Sequence, residues 1–312
     1  MNVITVSGLT KSFGRHKAVD NLNFKVDSGD FFGLVGPNKS GKSTTLNLLM
    51  DFVSPTKGTA EIFGMNCQDG SDEIKKQVGY IPSHPAFYDE MKVSSILKMV
   101  KQFFYESYDT NIEEFLCERF NINPKKRVGQ LTFSAQKRLA IVCAVVRQPK
   151  LILMDEPTLG LDPIMYNRFY ETMFELQEDG VTAIMADQQL SNIEDICNVV
   201  AVIREGEILE SKSLTQIKKK RGKFVHVAVE GDISDMMLSL GAKQFMKKDG
   251  VVSFIYNSDV NRLIKSLAKF KIDDLSMEDM PIENELSSYN DAIYYKETVG
   301  ANESEKGELL PL

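Results

Sequence analysis

Gly36-Pro37-Asn38-Lys39-Ser40-Gly41-Lys42-Ser43-Thr44 is the stretch that decides the fold. It fits the pattern G-x-x-x-x-G-K-[ST], in which the backbone N–H groups of a glycine-containing loop converge on a polyphosphate. The pattern needs a strand before it and a helix after it. Phe31-Phe32-Gly33-Leu34-Val35 precedes it as an apolar run, and Thr45-Leu46-Asn47-Leu48-Leu49-Met50 follows as the start of a helix. A helix entered in this way turns unpaired N–H groups and the positive end of its dipole toward an anion. In that setting Lys42 reaches the β- and γ-phosphates, and the Ser43 hydroxyl is placed to hold Mg²⁺.

A second stretch joins the first. Leu151-Ile152-Leu153-Met154-Asp155-Glu156 is an apolar run ending in two carboxylates. A run of this kind reads as a buried parallel strand. Ligands of α/β sheets bind beyond the carboxyl ends of the strands. Asp155 is therefore placed for the metal shell, and Glu156 for the attacking water as its base or its positioner.

With these parts in order, the chain resembles the ATP-binding subunit of an ATP-binding cassette (ABC) transporter. The resemblance spans about residues 2–215 and continues more weakly into a tail domain found in some bacterial members. Phe13, in Lys11-Ser12-Phe13-Gly14, stands where the family stacks an aromatic on adenine. Gly36 through Thr44 takes the place of Walker A. Leu151 through Glu156 takes that of Walker B with the catalytic glutamate. Gly160-Leu161-Asp162 matches the D-loop, within the specific run Pro157-Thr158-Leu159-Gly160-Leu161-Asp162-Pro163.

The resemblance implies an α/β fold: a P-loop NTPase (RecA-like) core, an antiparallel β subdomain and a helical signature subdomain. It places the cassette at residues 1–216, with the helical part at about 86–149. A small C-terminal α+β domain is expected at 217–297 and a disordered tail at 298–312. The implied reaction is attack of water on the γ-phosphate of ATP, with Glu156 and Lys42 as the catalytic residues and Mg²⁺ held by Ser43 and Asp155. The nucleotide would rest on Phe13 and on Gly36, Pro37, Asn38, Lys39, Ser40, Gly41, Lys42, Ser43 and Thr44. The implied partners are a second cassette, as homodimer or heterodimer, and a separate integral-membrane permease. The chain would then sit on the cytoplasmic face of the membrane. The transported substrate is not written in such a subunit.

Four departures from the family pattern qualify that expectation. Lys39 stands where the loop has glycine. Ser83, within Val78-Gly79-Tyr80-Ile81-Pro82-Ser83-His84-Pro85, replaces the Q-loop glutamine. The signature Leu-Ser-Gly-Gly-Gln reads Leu131-Thr132-Phe133-Ser134-Ala135, and the switch histidine is Gln188. Gln188 can hydrogen-bond a phosphate through its amide but cannot carry a proton there. Lys39 either adds a cation near the phosphates, points to solvent, or crowds a turn that glycine accepts more easily. His84 either takes over a contact of the lost glutamine or is an ordinary loop histidine. An ATP-gated regulatory cassette with little or no hydrolysis is the alternative these departures raise. A soluble cassette working on ribosomes or DNA would carry two cassettes or a long coiled-coil insertion, and neither is seen.

Composition narrows the classes further. The 312 residues carry a formal charge of −7, which does not favour nucleic acid as a partner. The longest apolar run, Leu139 to Val146, is far too short to cross a bilayer. The start, Met1-Asn2-Val3-Ile4-Thr5, lacks the charged-then-apolar pattern of a signal sequence. Cys67, Cys117, Cys143 and Cys197 have no metal-binding spacing and read as reduced cytosolic thiols.

Periodicity fills in the remainder. Residues 2–30 and 57–64 alternate as antiparallel strands. Val181–Met185 and Val199–Ile203 read as core strands, with a hairpin return at Gly206–Leu209. Val93–Val100 and Ile112–Phe120 read as helices, and Pro124 marks a break before the signature. In the tail, Lys218 to Lys223 reads as a basic linker, either solvated or facing anionic lipid. A strand (Phe224–Val229), a helix (Ser234–Leu240), a strand (Val251–Tyr256) and a helix (Val260–Phe270) follow it. That order predicts a small α+β unit.

Overall fold

The alternating amino-terminal residues form two long strands, β1 (Asn2–Phe13) and β2 (His16–Asp27). After β3 (Phe31–Val35) and α1 (Lys42–Leu49) come β4 (Lys57–Ile62) and β5 (Met65–Asn66). β1 is the hub of an antiparallel sheet ordered β2-β1-β4-β5. Its inward side chains, among them Ile4, Leu9, Leu22 and Ile62, join Leu34, Leu46 and Leu153 in one apolar core. Phe24 of β2 stacks on Phe32 of β3 with centroids 5.4 Å apart, so the two sheets share a layer. This computed structural model describes residues 1–104, 108–229, 231, 233–248, 250–280, 282 and 286. The tail expected to be disordered lies outside those residues.

The core sheet comes next. α2 (Ser71–Gln77) leads into β6 (Val78–Ile81). Three helices then form the arm: α3 (Val93–Phe103), α4 (Thr110–Arg119) and α5 (Phe133–Val145). β7 (Leu151–Asp155), α6 (Pro163–Glu178), β8 (Thr182–Asp187), β9 (Val199–Arg204) and β10 (Glu207–Ser213) complete the sheet. Its order is β10-β9-β3-β8-β7-β6, parallel throughout except for β10. Every residue of β3, β7 and β8 is buried, as helix-covered parallel strands require. The arm is fastened to α6 by Arg119, whose guanidinium meets the Glu175 carboxylate in two bonds of 2.6 and 2.7 Å. This is the α/β P-loop architecture with its antiparallel and helical subdomains.

Of the described residues, those up to Ser213 form one compact unit and Leu214–Asn290 bounds another. The second unit contains α7 (Leu214–Lys220), β11 (Lys223–Val229), α8 (Ser234–Ser239), β12 (Lys243–Lys248), β13 (Val251–Tyr256), α9 (Val260–Leu267) and β14 (Ile272–Asp279). Its antiparallel sheet runs β12-β13-β11-β14 over a core that includes Val225, Val227, Phe254 and Leu263. The structure corrects the basic linker. Residues 214–220 are helical because Leu214 and Ile217, three apart, are both buried, and the lysines around them hid that apolar side. Lys223 belongs to β11 and pairs with Asp279 at 2.6 Å. Two strands absent from the expected order, β12 and β14, are the sheet's edges. Edge strands carry charge, which masks their alternation.

Candidate active site

β3, β8 and β7 are neighbours, so their carboxyl ends bring Val35, Asp187 and Asp155 to one edge of the core sheet. Gly36 begins the phosphate loop there. Its N–H donates to the Asp187 carbonyl at 3.3 Å, and a Cβ at this position would lie 2.0 Å from the Ile203 carbonyl oxygen. Gly41 caps α1 at φ 108°, and a Cβ there would meet the Ala18 carbonyl oxygen at 2.5 Å. Neither position admits a side chain. The hairpin between β9 and β10 braces the loop from outside, since the Gly206 N–H donates to the Ser40 carbonyl at 2.9 Å.

Lys42 is buried, and its ammonium donates to the Gly36 and Pro37 carbonyls at 2.8 and 2.9 Å. Burial lowers its pKa, opposed by the nearby Glu156, Asp155 and Asp187 carboxylates. Ser43 is exposed and Thr44 half-buried, at the first turn of α1. Ser40 Oγ is buried without a hydrogen-bond partner among the described residues. Pro37 is half-buried, and Asn38 and Lys39 are exposed at the loop's outer bend.

Lys39 adopts φ 65°, the left-handed conformation that glycine takes without strain. An L residue held there is destabilised by about 1 kcal/mol, of which glycine's larger unfolded-state entropy returns part. Lys39→Gly is therefore expected to stabilise the chain by about 0.5 kcal/mol. Denaturant melts of both proteins measure it, and a lower midpoint for the glycine variant overturns the strain argument.

The carboxylates are arranged with similar economy. Asp155 is buried, and its Oδ1 has no hydrogen-bond partner among the described residues. A buried carboxylate oxygen without a donor and the Ser43 hydroxyl, at the same edge of the sheet, make a set of hard oxygens that fits Mg²⁺. Glu156 also has a left-handed backbone, φ 42°, and its Oε1 accepts a 2.7 Å hydrogen bond from the Gln188 amide. Asp187 Oδ1 accepts from the Gln189 N–H at 3.0 Å and from Asn192 Nδ2 at 3.1 Å. Burial raises the Asp187 pKa against those two bonds. A cavity of about 260 Å³ opens beside this group, lined by Glu156, Thr158, Tyr166 and Gln188 among others. A larger one, about 860 Å³, lies at the opposite edge of the sheet beside Lys150, Leu176 and Thr182, far from the phosphate loop.

The other expected residues fall at separate places. Phe13 ends β1 as an exposed ring, with Lys11 Nζ 5.0 Å from its centroid. Thr132 caps α5, its hydroxyl accepting the Ala135 N–H at 3.3 Å. Asp162 caps α6 by accepting the Ile164 and Met165 N–H groups. Sequence reasoning passed over Asp187, Asn192 and Lys137. Asp187 had a signal, since it closes an apolar strand just as Asp155 does. Lys137 had none: it is fully buried on α5, and burial pushes its ammonium down to about 8.

Comparisons with known proteins give the chain's family and fold. The family model described as ABC transporter matches residues 19–159. The bacitracin transport ATP-binding protein BcrA of Bacillus licheniformis is 33% identical over 225 residues, 72% of this chain and 74% of that protein. The uncharacterized ABC transporter ATP-binding protein YhaQ of Bacillus subtilis is 28% identical over 294 residues, 90% of this chain and 98% of that protein. Among solved structures, an ATP-binding subunit of an ABC transporter superposes with a TM-score of 0.64 at 25% identity, over 70% of this chain and 92% of that one. A dimeric ATP-binding cassette solved with ADP and Pi gives a TM-score of 0.61 at 21% identity, over 68% of this chain and 98% of that one, a likeness of fold.

Proposed function

The chain belongs to the ATP-binding proteins of the ABC transporter family, and from that premise we propose how its residues turn ATP over and what they drive. As a member, it is an ATP-binding and ATP-hydrolysing transporter subunit. The observation that carries the residue assignment is the meeting of the Gly36–Thr44 loop, Asp155, Glu156 and Asp187 at the ends of three adjacent strands.

In this reading the Gly36–Thr44 backbone, from Gly36 through Pro37, Asn38, Lys39, Ser40 and Gly41 to Thr44, cradles the phosphates. Lys42 exchanges its two loop carbonyls for phosphate oxygens. Phe13 stacks on the adenine. Ser43 and Asp155 would hold Mg²⁺, which when bound spreads the charge developing on the phosphates. Glu156 orients the attacking water and takes its proton. Gln188 fixes the Glu156 carboxylate by its amide. It also withdraws charge from that base and has no proton to relay, so turnover is expected to be slow.

The mechanical output is proposed to pass to an integral-membrane permease at the cytoplasmic face of the membrane, with a second cassette closing the ATP site. Among the described residues no helix is long and apolar enough to cross a membrane. A signature N-terminus offers bare backbone to the partner's γ-phosphate, and Phe133 and Ser134 place side chains there. A heterodimer whose other cassette has an intact signature would complete the site built on Lys42, Asp155 and Glu156.

The test is to assemble this chain with a candidate permease and a second cassette from the same genome, and to compare ATPase rates with those of the chain alone. A stable complex with faster turnover is expected. In the chain alone, Ser134→Gly should raise the rate about tenfold, the size of one restored charge-assisted contact. A fast rate from the chain alone, unchanged by that glycine, would remove the need for a second cassette of different sequence.

A further inference from the structure

Lys137 stands out as a fully buried cation with no carboxylate in ion-pair contact among the described residues. Its ammonium has three protons and three acceptors, all backbone carbonyls: Pro82 at 2.6 Å, Ser83 at 3.1 Å and Asp155 at 3.3 Å. An ammonium is tolerated in the interior when every proton is bonded. Asp155, Glu156 and Asp187 supply a favourable field from further away. One turn earlier on α5, the Phe133 ring lies 5.6 Å from that of His84 and covers Gly160, where an added Cβ would be 2.7 Å from its carbons. The first two turns of α5 thus touch the 82–84 segment three times and the 155–160 segment twice.

The Asp155 contact matters most. The Asp155 carbonyl and the Glu156 N–H belong to one peptide unit. Lys137 grips its oxygen, and its N–H donates to the Ala186 carbonyl at 2.9 Å. That peptide plane sets the left-handed φ of Glu156. Left alone, an L residue leaves this conformation, so something must hold it.

We propose that Lys137 is a positioning residue for ATP turnover: with Phe133 it ties the signature turn, the 82–84 segment and the Asp155–Glu156 peptide into one body. Ser83, lacking a glutamine side chain, takes part through its backbone carbonyl instead. The proposal rests on the reading of Glu156 as the group that handles water.

The experiment measures kcat, KM for ATP and ATP-induced thermal stabilisation in the full chain and in Lys137→Met. Displacing a catalytic group by a fraction of an ångström to an ångström costs up to about 100-fold in rate. We expect kcat to fall about tenfold or more while KM and the ATP-induced shift stay within about threefold, because Lys137 contacts neither the phosphate loop nor the nucleotide. Amide exchange at Glu156 and Ser83 should quicken by a similar factor. An unchanged kcat, or a kcat loss matched by an equal loss of ATP affinity, overturns the tie. If wild type shows no ATP-induced shift, the ATP-binding reading fails instead, which separates the two. Should Lys137→Met not fold, Phe133→Ala at its partly exposed site carries the test. Faster exchange at Glu156 and Ser83 with an intact ATP shift supports the tie, and unchanged exchange overturns it.

Discussion

Glu156→Gln is expected to lower steady-state ATP turnover about 100-fold or more while leaving ATP affinity within a few-fold of wild type, the usual yield of a placed base. Three observations set that expectation. Glu156 follows Asp155 at the end of a fully buried strand, its backbone is held at φ 42°, and its Oε1 is fixed by the Gln188 amide at 2.7 Å. Glutamine matches glutamate in shape and can accept the same bond from Gln188 through its own amide oxygen. Fold and nucleotide cradle should therefore survive. What disappears is the capacity to take a proton and the charge that orients water. Single-turnover hydrolysis under saturating ATP isolates the chemical step, and fluorescent-nucleotide titration gives affinity on the same preparation. A Glu156→Gln protein that hydrolyses at the wild-type rate would assign the water to another group, with Asp187, one strand over, the nearest candidate.

The parts of this protein differ in how plainly the sequence displays them, and the differences have physical causes. The phosphate loop is legible because its chemistry constrains the backbone. Gly36 and Gly41 sit where a Cβ would strike a carbonyl oxygen, so the spacing cannot drift. The strand ending at Asp155 is legible because burial on both faces demands an unbroken apolar run. Lys39 and Glu156 adopt left-handed backbones that nothing in their side chains announces. The three-carbonyl grip of Lys137 is equally silent, since it joins residues 54, 55 and 18 positions apart through backbone acceptors that every residue possesses. In the second unit, buried β11 and β13 show their alternation, while β12 and β14 are edges with charged residues and do not. In the sequence Gln188 stands at the switch position, where its amide can hydrogen-bond a phosphate. The structure turns its amide to Glu156, a partner that lies 32 residues away and becomes adjacent through the β7–β8 pairing.

Lys42→Ala is expected to abolish most of the stabilisation that ATP confers. A ligand that binds only the native state adds about 2.7 kcal/mol at a concentration 100-fold above Kd. For a unit of this size that raises the melting midpoint by about 5–10 °C. Without nucleotide the loss should be modest, about 1 kcal/mol for two hydrogen bonds to loop carbonyls that water can partly replace. With nucleotide the balance changes. Lys42 is the buried cation of the phosphate loop and lies in the field of Asp155, Glu156 and Asp187, so without it that negative field acts on the incoming phosphates with less to oppose it. Divalent cation offsets part of that repulsion, so raising Mg²⁺ should recover a fraction of the shift and no more. Differential scanning fluorimetry of wild type, Lys42→Ala and Glu156→Gln, each with and without Mg–ATP, makes the comparison. The shift should vanish in the first variant and persist in the second. That contrast separates holding the phosphates from attacking them, because both variants are expected to turn over slowly and only one to lose the ligand. Equal shifts in wild type and Lys42→Ala would mean that ATP is bound somewhere other than the loop from Gly36 to Thr44.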